Sequence, residues 1–153
     1  MEFRRVVITG LGAVTPIGNT VPEYWDALCK GVNGAGHITR FDSTKFRTRI
    51  ACEVKGFDPQ QYFDRKEVRK LDLYTQFAIV ASDEAISDSG ITKDNTDFDN
   101  VGVVFSSGIG GINSFYEEVA AFATGDGTPR YNPFIIPKLL PDLAGGHISI
   151  KHG

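Results

Sequence analysis

The stretch between Asp64 and Gly90 has the strongest helical pattern in the sequence, and its middle is apolar on almost every face. Apolar side chains recur there at steps of three and four residues, and Gly90 supplies an end. Because residues 77–81 are apolar all round, we expect this helix to lie buried between other layers of the fold. The periodic positions are Val68, Leu71, Phe77, Ala78, Ala81 and Ala85.

Short apolar runs on both sides of this helix predict strands. Residues 4–9 and 100–105 contain continuous apolar runs typical of buried strands, and residues 48–54 partly alternate. A first helix is predicted from Thr20, which forms a capping box with Glu23, to a stop at Gly31. Further helices are predicted from Ile112 and over residues 134–152, and residues 31–46 are predicted as loop. Strands that alternate with long helices indicate the α/β class.

The composition is that of an ordinary globular protein. The 153 residues are 41% hydrophobic and 23% charged, with a formal net charge of −3, and they suit one domain without internal repeats. Acidic residues outnumber basic ones, which argues against a nucleic-acid partner, and no apolar run approaches the roughly 18 residues of a membrane span. Cys29 and Cys52 show no metal-binding spacing, and we expect both to be buried structural cysteines. The expected location is the cytoplasm.

The run VVITGLGAV at residues 6–14 begins like a dinucleotide-binding loop. Such a loop needs G-x-G-x-x-G, with its third glycine inside a helix that follows the strand directly. Here Thr15 stands at the third position and Pro16 follows it, so we expect no helix there before about Val21. We therefore assign Gly10 and Gly12 to a tight turn and close packing. A nucleotide-binding oxidoreductase is kept as a competing class, which titration with NAD would test.

A second glycine-rich stretch, SSGIGG, covers residues 106–111. A phosphate-binding P-loop requires Lys and then Ser or Thr after its last glycine, but Ile112 and Asn113 stand there. Backbone N–H groups between a strand and a helix could still bind an anion, and simple close packing is the other interpretation. Glycines on both sides of Ile109 also suit a place where a ligand approaches closely and this side chain moves.

Four motifs together resemble one enzyme family. The four motifs occur in the same order and at about the same spacing as in the β-ketoacyl-acyl-carrier-protein synthases. They are RRVVITGLGAVTPIG, RKEVRKLDLYTQFAIVASDEAISDSG, VGVVFSSGIGGI and YNPFIIPKLLPDLAGGHISIKHG. The resemblance runs from Arg4 to Gly153 and is closest to the bacterial type II enzymes of fatty-acid elongation. It implies a thiolase-like α/β fold with two similar halves in an α/β/α/β/α layering. Residues 1–153 would then be the N-terminal portion of the first half.

The resemblance also implies a decarboxylating Claisen condensation. In this family a cysteine takes the acyl chain as a thioester, two histidines promote decarboxylation of malonyl-carrier, and substrates arrive on phosphopantetheine without another cofactor or a metal. That cysteine and both histidines correspond to positions beyond Gly153, so no catalytic residue is expected here. Cys29, His147 and His152 are not expected to replace them. We expect residues 1–153 alone to be an inactive, aggregation-prone fragment.

The resemblance assigns a docking role to part of the predicted long helix. The family's RKExRK segment contributes to the surface that receives the acidic acyl carrier protein, and it carries over to Lys66, Arg69 and Lys70. A basic cluster on an otherwise acidic protein can steer such a partner. A solvated helix start is the competing interpretation.

Two apolar sites match family positions that handle the acyl chain. Ile109, with Gly108 beside it, matches the side chain that gates the acyl pocket and swings aside for a long chain. Phe134 and Ile135 match a stretch that reaches the homodimer interface and lines the partner subunit's acyl pocket. Ordinary core packing is the alternative for both sites.

Two relatives of the same fold are kept as alternatives to the elongating enzyme. One is a non-catalytic protein like a chain-length factor, in which the nucleophile is genuinely lost, and the other is a polyketide ketosynthase. The residue at the family's nucleophile position separates the first alternative from an enzyme, because Cys there indicates an enzyme and Gln a chain-length factor.

Overall fold

The structure is a computed structural model that describes residues 3–153. In this part of the chain the regular elements are six α-helices, one small antiparallel sheet and two short 3-10 helices, Pro59–Gln61 and Phe98–Asn100. The elements are α1 (Val21–Cys29), β1 (Gly36–His37), β2 (Ile50–Ala51), α2 (Arg65–Lys70), α3 (Leu73–Ser89), α4 (Ile112–Thr124), α5 (Ile135–Leu139) and α6 (Leu143–His152). They belong to two compact units, one of Met1–Phe57 with Ala81–Ile91 and one of Asp58–Val80 with Thr92–Gly153.

Helix α1 of the first unit confirms the predicted Thr20 cap, but the Glu23 carboxylate accepts from the Asn19 N–H and not from the Thr20 N–H that the predicted capping box requires. The Thr20 hydroxyl accepts a hydrogen bond from the Glu23 N–H at 3.4 Å, and the Glu23 carboxylate accepts one from the Asn19 N–H at 2.8 Å. Gly31 follows the helix with a φ of +64°, a left-handed conformation that favours glycine. Local capping residues therefore set both ends of α1.

The glycines at positions 10 and 12 pack directly against the backbone of α3. A Cβ added at Gly12 would lie 1.8 Å from the Ala81 carbonyl oxygen, and one at Gly10 would lie 2.1 Å from that of Ala85. Within residues 3–20 no helix begins. The structure therefore gives these glycines the close packing that the sequence predicts, and it lacks the strand-to-helix turn of a dinucleotide site.

Two carboxylates of α3 hold the loop that contains these glycines. Glu84 accepts hydrogen bonds from the N–H groups of Ala13 at 2.9 Å and Val21 at 2.8 Å, one carboxylate oxygen to each. Asp88, one turn further along, accepts from the Leu11 N–H at 2.9 Å. Because Val21 is the first residue of α1, Glu84 also places a negative charge at the positive end of that helix.

The predicted strands at residues 4–9 and 100–105 are wrong for this structure, in which neither segment is part of a sheet. Both segments expose apolar side chains, with Val6 89% exposed and Val104 fully exposed. A strand of this apolar type needs hydrogen-bonded neighbours, and the described residues supply none. Only β2 falls inside the predicted 48–54 strand, and its partner β1 lies in the predicted loop.

The prediction that both cysteines are buried is also wrong. Cys29 and Cys52 are free and exposed. Cys29 is the last residue of α1, in which Ala27 is the only buried residue, because most of this helix faces no other described element. Cys52 follows β2 at the edge of the two-stranded sheet, where no further strand covers it among residues 3–153.

The predicted long helix is two helices in the structure. Helix α2 ends at Lys70, and Leu71 adopts an extended backbone with φ −95° and ψ 135° before α3 begins. In the second unit, the first part of α3 provides buried core residues, which confirms the expected burial for residues 78–80. The buried apolar residues of this unit are Phe63, Leu71, Ala78, Ile79, Val80, Ala144 and Ile148.

The C-terminal helical prediction is confirmed with one interruption. Helices α5 and α6 are separated at Leu140, which is extended, as expected for a residue before proline such as Pro141. Lys151 and His152 lie in the last turn of α6 and Gly153 is its C-cap residue, as predicted. Helix α4 begins at Ile112, as predicted. Its apolar face is partly exposed, and the Phe122 side chain is 40% exposed.

Candidate functional site

The basic cluster lies on α2, which a complete capping box starts. Asp64 Oδ1 accepts from the N–H groups of Lys66 at 2.7 Å and Glu67 at 2.8 Å, and Glu67 Oε2 accepts from the Asp64 N–H at 3.1 Å. The hydrogen bonds from the Glu67 and Lys66 N–H groups lower the pKa of Asp64 below its ordinary value. The cap keeps the short helix formed and holds Lys66, Arg69 and Lys70 exposed.

These three cations line an open cleft of about 420 Å³. The other wall is the irregular segment Asn132, Pro133 and Phe134, and no acidic side chain lines the cleft. Lys70 Nζ lies 5.8 Å from the centroid of the Phe134 ring, within the range of a cation–π contact. The cleft therefore combines positive charge with an aromatic surface.

The segment opposite the cations is fixed by its own hydrogen bonds. The Asn132 N–H donates to Glu118 Oε2 of α4 at 3.1 Å, and the Asn132 side-chain oxygen accepts from the Phe134 N–H at 2.9 Å. Phe134 is 36% exposed, whereas Ile135, the first residue of α5, is half-buried and does not line the cleft. The two residues of this predicted acyl-lining pair thus have different surroundings.

Ile109 lies at the tip of a tight turn between residues 107 and 111. Its side chain is 63% exposed, and a Cβ added at the neighbouring Gly108 would meet nothing within 4 Å. Gly110 has a φ of +78°, and a Cβ there would lie 1.9 Å from the Leu139 carbonyl oxygen. Ile109 therefore has free space on the side of Gly108. On its other side, replacing Gly110 by any other residue would strain the backbone.

The backbone amides of this turn are already used within the protein. The Ser107 N–H donates to the Pro141 carbonyl and the Gly111 N–H to the Leu139 carbonyl, both at 3.3 Å. The Gly110 N–H donates to the Ser107 hydroxyl at 2.9 Å. These three donors are therefore not available to an anion.

The predicted site residues thus fall into two places joined by α5. Lys66, Arg69, Lys70 and Phe134 share the cleft at the start of this helix. Gly108 and Ile109 lie on the turn that is bonded to its last residue, Leu139, and to Pro141 beyond it. The cleft at the start of α5 is basic, and the turn bonded to its end carries the exposed apolar side chain of Ile109. Together these two places can receive a charged partner and an apolar chain.

The family model for the N-terminal domain of β-ketoacyl synthases matches residues 3–153. The chain belongs to the β-ketoacyl synthase family. Curated relatives named 3-oxoacyl-[acyl-carrier-protein] synthase 2 are similar to it along its full length. One from Synechocystis sp. is 42% identical over 100% of this chain, and one from Coxiella burnetii is 45% identical over 99%. The chain spans 36% of the length of each relative.

A solved structure also resembles this synthase chain. The crystal structure of a β-ketoacyl synthase from Burkholderia phymatum matches 97% of the chain with a TM-score of 0.76 at 27% identity, over 36% of its own length. The predicted fold class is therefore supported at the level of the ketosynthase fold. The chain matches about a third of that solved structure, and within the chain residues 4–9 and 100–105 are exposed.

The sequence analysis missed several residues of the site in this β-ketoacyl synthase chain. Asn132 and Pro133 form a wall of the cleft, and their Asn-Pro pair is itself a turn signal that could have directed attention to them. Asp72, just before α3, accepts a hydrogen bond from Ser114 of α4, and the Tyr74 hydroxyl donates one to the Leu140 carbonyl, beside the residues to which the Ile109 turn is bonded. Gln76 Oε1 is buried and has no hydrogen-bond partner within residues 3–153, and no local sequence signal marks it.

Other possible sites in the synthase chain are not assembled by the structure. Across residues 3–153, no three His, Cys, Asp or Glu side chains come together in an arrangement that could hold a metal ion. None of the helices in that range combines the length and apolar character needed to cross a membrane. His147 and His152 on α6 are half-buried, and their packing role stays a prediction.

Proposed function

We propose that this chain is the N-terminal part of a 3-oxoacyl-[acyl-carrier-protein] synthase 2. The full-length protein, meaning a chain that continues through the family's cysteine and two histidines, condenses an acyl thioester with malonyl-carrier and releases CO2. The observation that carries the proposal is that relatives of this name are 42–45% identical over the whole of the chain. The acyl groups arrive on the phosphopantetheine of an acyl carrier protein, and the enzyme needs no cofactor of its own.

Within that enzyme, the 153 residues supply binding surfaces rather than the reacting groups. The cleft of Lys66, Arg69 and Lys70 receives the acidic carrier protein, since it is lined by three cations and by no acid. Ile109 gates the acyl pocket, and Gly108 leaves it room to move. Alone, residues 1–153 are inactive because the cysteine and the two histidines that the family uses correspond to positions beyond Gly153.

The remaining features of the proposal concern assembly. The full-length protein is a homodimer with the thiolase-like layered fold, and Phe134 and Ile135 help to line the partner subunit's acyl pocket. The exposed apolar segments at residues 4–9 and 100–105 become inner strands of that fold. The cytoplasm stays the predicted location.

Charge reversal in the cleft tests the docking surface. The double variant Lys66→Glu, Lys70→Glu of the full-length protein replaces two attractions to an acidic partner by two repulsions. We expect the dissociation constant for acyl carrier protein, measured by fluorescence anisotropy at low salt, to rise at least about tenfold, or about 1.4 kcal/mol. The difference between variant and wild type shrinks as salt screens the charges.

The matched control is Lys45→Glu, Arg47→Glu, which changes the net charge by the same amount on exposed residues outside the cleft. The control should lower carrier affinity only slightly, through the long-range field. Equal losses in the two double variants would refute a localised docking surface and leave only a general charge effect.

Substitution at the turn tests the acyl gate. Ile109→Phe of the full-length protein enlarges the side chain that must move aside, so we expect condensation with long acyl chains to fall more than condensation with short ones. Ile109→Val is the control and should keep the wild-type profile. A profile that stays the same in Ile109→Phe contradicts the assigned role.

The chain-length-factor alternative is not favoured, because curated relatives that are 42–45% identical to the chain are named as synthases. The residue at the nucleophile position of the full-length protein decides it. Transfer of a radiolabelled acyl group from carrier protein to that position supports the synthase, and glutamine at that position supports the alternative.

A further inference from the structure

Helix α4 begins directly after the turn that carries Ile109, and the carboxylate of Asp72, which lies just before α3, contacts its N-terminus. Gly111, at the N-cap position, has no side-chain cap of its own. Asp72 Oδ2 accepts a hydrogen bond from the Ser114 hydroxyl at 2.6 Å, and a Cβ added at Gly111 would meet the same oxygen at 2.7 Å. The negative charge therefore lies at the positive end of α4, where it is stabilising.

The start of α3 also contacts the segment between α5 and α6 to which the turn is bonded. The Tyr74 hydroxyl donates a hydrogen bond to the Leu140 carbonyl. Leu140 lies between Leu139 and Pro141, whose carbonyls accept from the turn's Gly111 and Ser107 N–H groups. Asp72 in turn is oriented by the Tyr74 N–H, which donates to its Oδ1 at 3.1 Å.

Asp72 thus holds the start of α4 directly after the turn, and Tyr74 holds the segment to which the turn is bonded, while the tip of the turn is exposed. Asp72 and Ser114 are half-buried, so their bond is partly shielded from water and is charge-assisted. Ile109 itself is held by no such bond and projects from the turn. Displacement of the turn that carries Ile109 is therefore resisted by the Asp72–Ser114 bond and by the Tyr74–Leu140 bond.

We infer that Asp72 and Ser114 are positioning residues that resist displacement of the Ile109 turn and so restrict the enzyme toward shorter acyl chains. This inference rests on the proposed role of Ile109 as an acyl gate. Neither residue touches substrate, and both act through the backbone of the turn. Weakening their bond lets the turn open at lower cost, which favours long chains over short ones.

The test uses Ser114→Ala in the full-length protein, with Ser114→Thr as the conservative variant that keeps a hydroxyl. Thr124→Val is the matched control, because it removes a hydroxyl that bonds to the Ala120 carbonyl near the far end of the same helix. The first measurement is the ratio of kcat/KM for a long acyl-carrier substrate to that for a short one. The second is hydrogen exchange at the amides of Gly110 and Gly111.

We expect Ser114→Ala to raise the long-to-short ratio several-fold and to speed amide exchange in the turn by about tenfold, the change that loss of a typical hydrogen bond produces. Ser114→Thr and Thr124→Val should keep both wild-type values. Asp72→Asn, which removes the charge and keeps the shape, should shift both values in the same direction as Ser114→Ala. An unchanged or lower ratio in Ser114→Ala, with normal exchange, overturns the inference.

The gate and the anchor can fail separately. If Ile109→Phe alters the chain-length profile while Ser114→Ala alters neither measurement, the gate stands and the anchor is refuted. If Ile109→Phe leaves the profile unchanged, the proposed gate is refuted. In that case faster exchange in Ser114→Ala alone supports the anchor, and equal exchange in all variants refutes it as well.

Discussion

Replacement of Glu84 by Gln tests whether one carboxylate holds the glycine loop against α3. Glu84 accepts two backbone hydrogen bonds, from Ala13 and from Val21 at the start of α1. The amide of Gln keeps one acceptor oxygen and turns an NH2 group toward the second N–H. The variant therefore loses one charge-assisted bond of about 1.5–3 kcal/mol and the favourable interaction with the α1 dipole of about 0.3–1 kcal/mol.

The substitution should therefore lower the free energy of opening the loop by about 2–4 kcal/mol, which corresponds to amide exchange at least about thirtyfold faster in residues 11–21. Hydrogen–deuterium exchange measured on peptides that cover this loop provides the assay. Peptides from α4, which makes no hydrogen bond to Glu84, serve as the internal reference.

Asp88→Asn is the matched control on the same helix. Asp88 is exposed and accepts one hydrogen bond, and it lies one residue before the end of α3, where a negative charge is unfavourable. The lost bond and the lost repulsion nearly cancel, so we expect a change below about 0.5 kcal/mol. Equal acceleration of exchange in Asp88→Asn and Glu84→Gln would contradict the reasoning that burial and two-point bonding make Glu84 the anchor.

Three further predictions concern packing and capping. Gly12→Ala should destabilise the full-length protein by at least about 1–3 kcal/mol, because its Cβ would lie 1.8 Å from a carbonyl oxygen. The control Gly36→Ala, with open space around it, should cost less than about 1 kcal/mol. Denaturant unfolding measures both. Ala144→Leu fills a site that is 0% exposed and should cost about 1–3 kcal/mol, against little change for the exposed Ala121→Leu. The Asp64 carboxylate should titrate below the ordinary aspartate value by NMR. Because its folded pKa is depressed, its cap on α2 is fully present above the ordinary value and is lost as pH falls through the folded pKa, so a midpoint at or above the ordinary value would contradict the cap.

Helix starts could be predicted from the sequence because their signals are local. The Thr20 cap and the Gly31 stop each act within a few residues of the helix they bound. The break before α3 carried a local signal that was overlooked: Asp72 accepts a hydrogen bond from the Tyr74 N–H, as a residue outside a helix start does. A more careful treatment of Asp72 would have divided the long helix correctly.

The strands could not be predicted in the same way because a strand depends on its neighbours. Val6 and Val104 belong to apolar runs typical of buried strands, yet both are exposed in a chain that spans 36% of its relatives. The cleft likewise depends on residues far apart in sequence, since Lys66 and Phe134 meet through tertiary packing alone. The periodicity of apolar residues shows which side chains need burial, but not which element of the fold covers them.

Helix α2 has no buried residue, and its ends are set by Asp64 on one side and by the extended Leu71 on the other. Its basic face can therefore be rewritten without repacking any core side chain. Under the docking role proposed above, exchanging Lys66 and Arg69 for acids and supplying a carrier with the opposite charge pattern would give an enzyme–carrier pair that does not exchange partners with a cell's own.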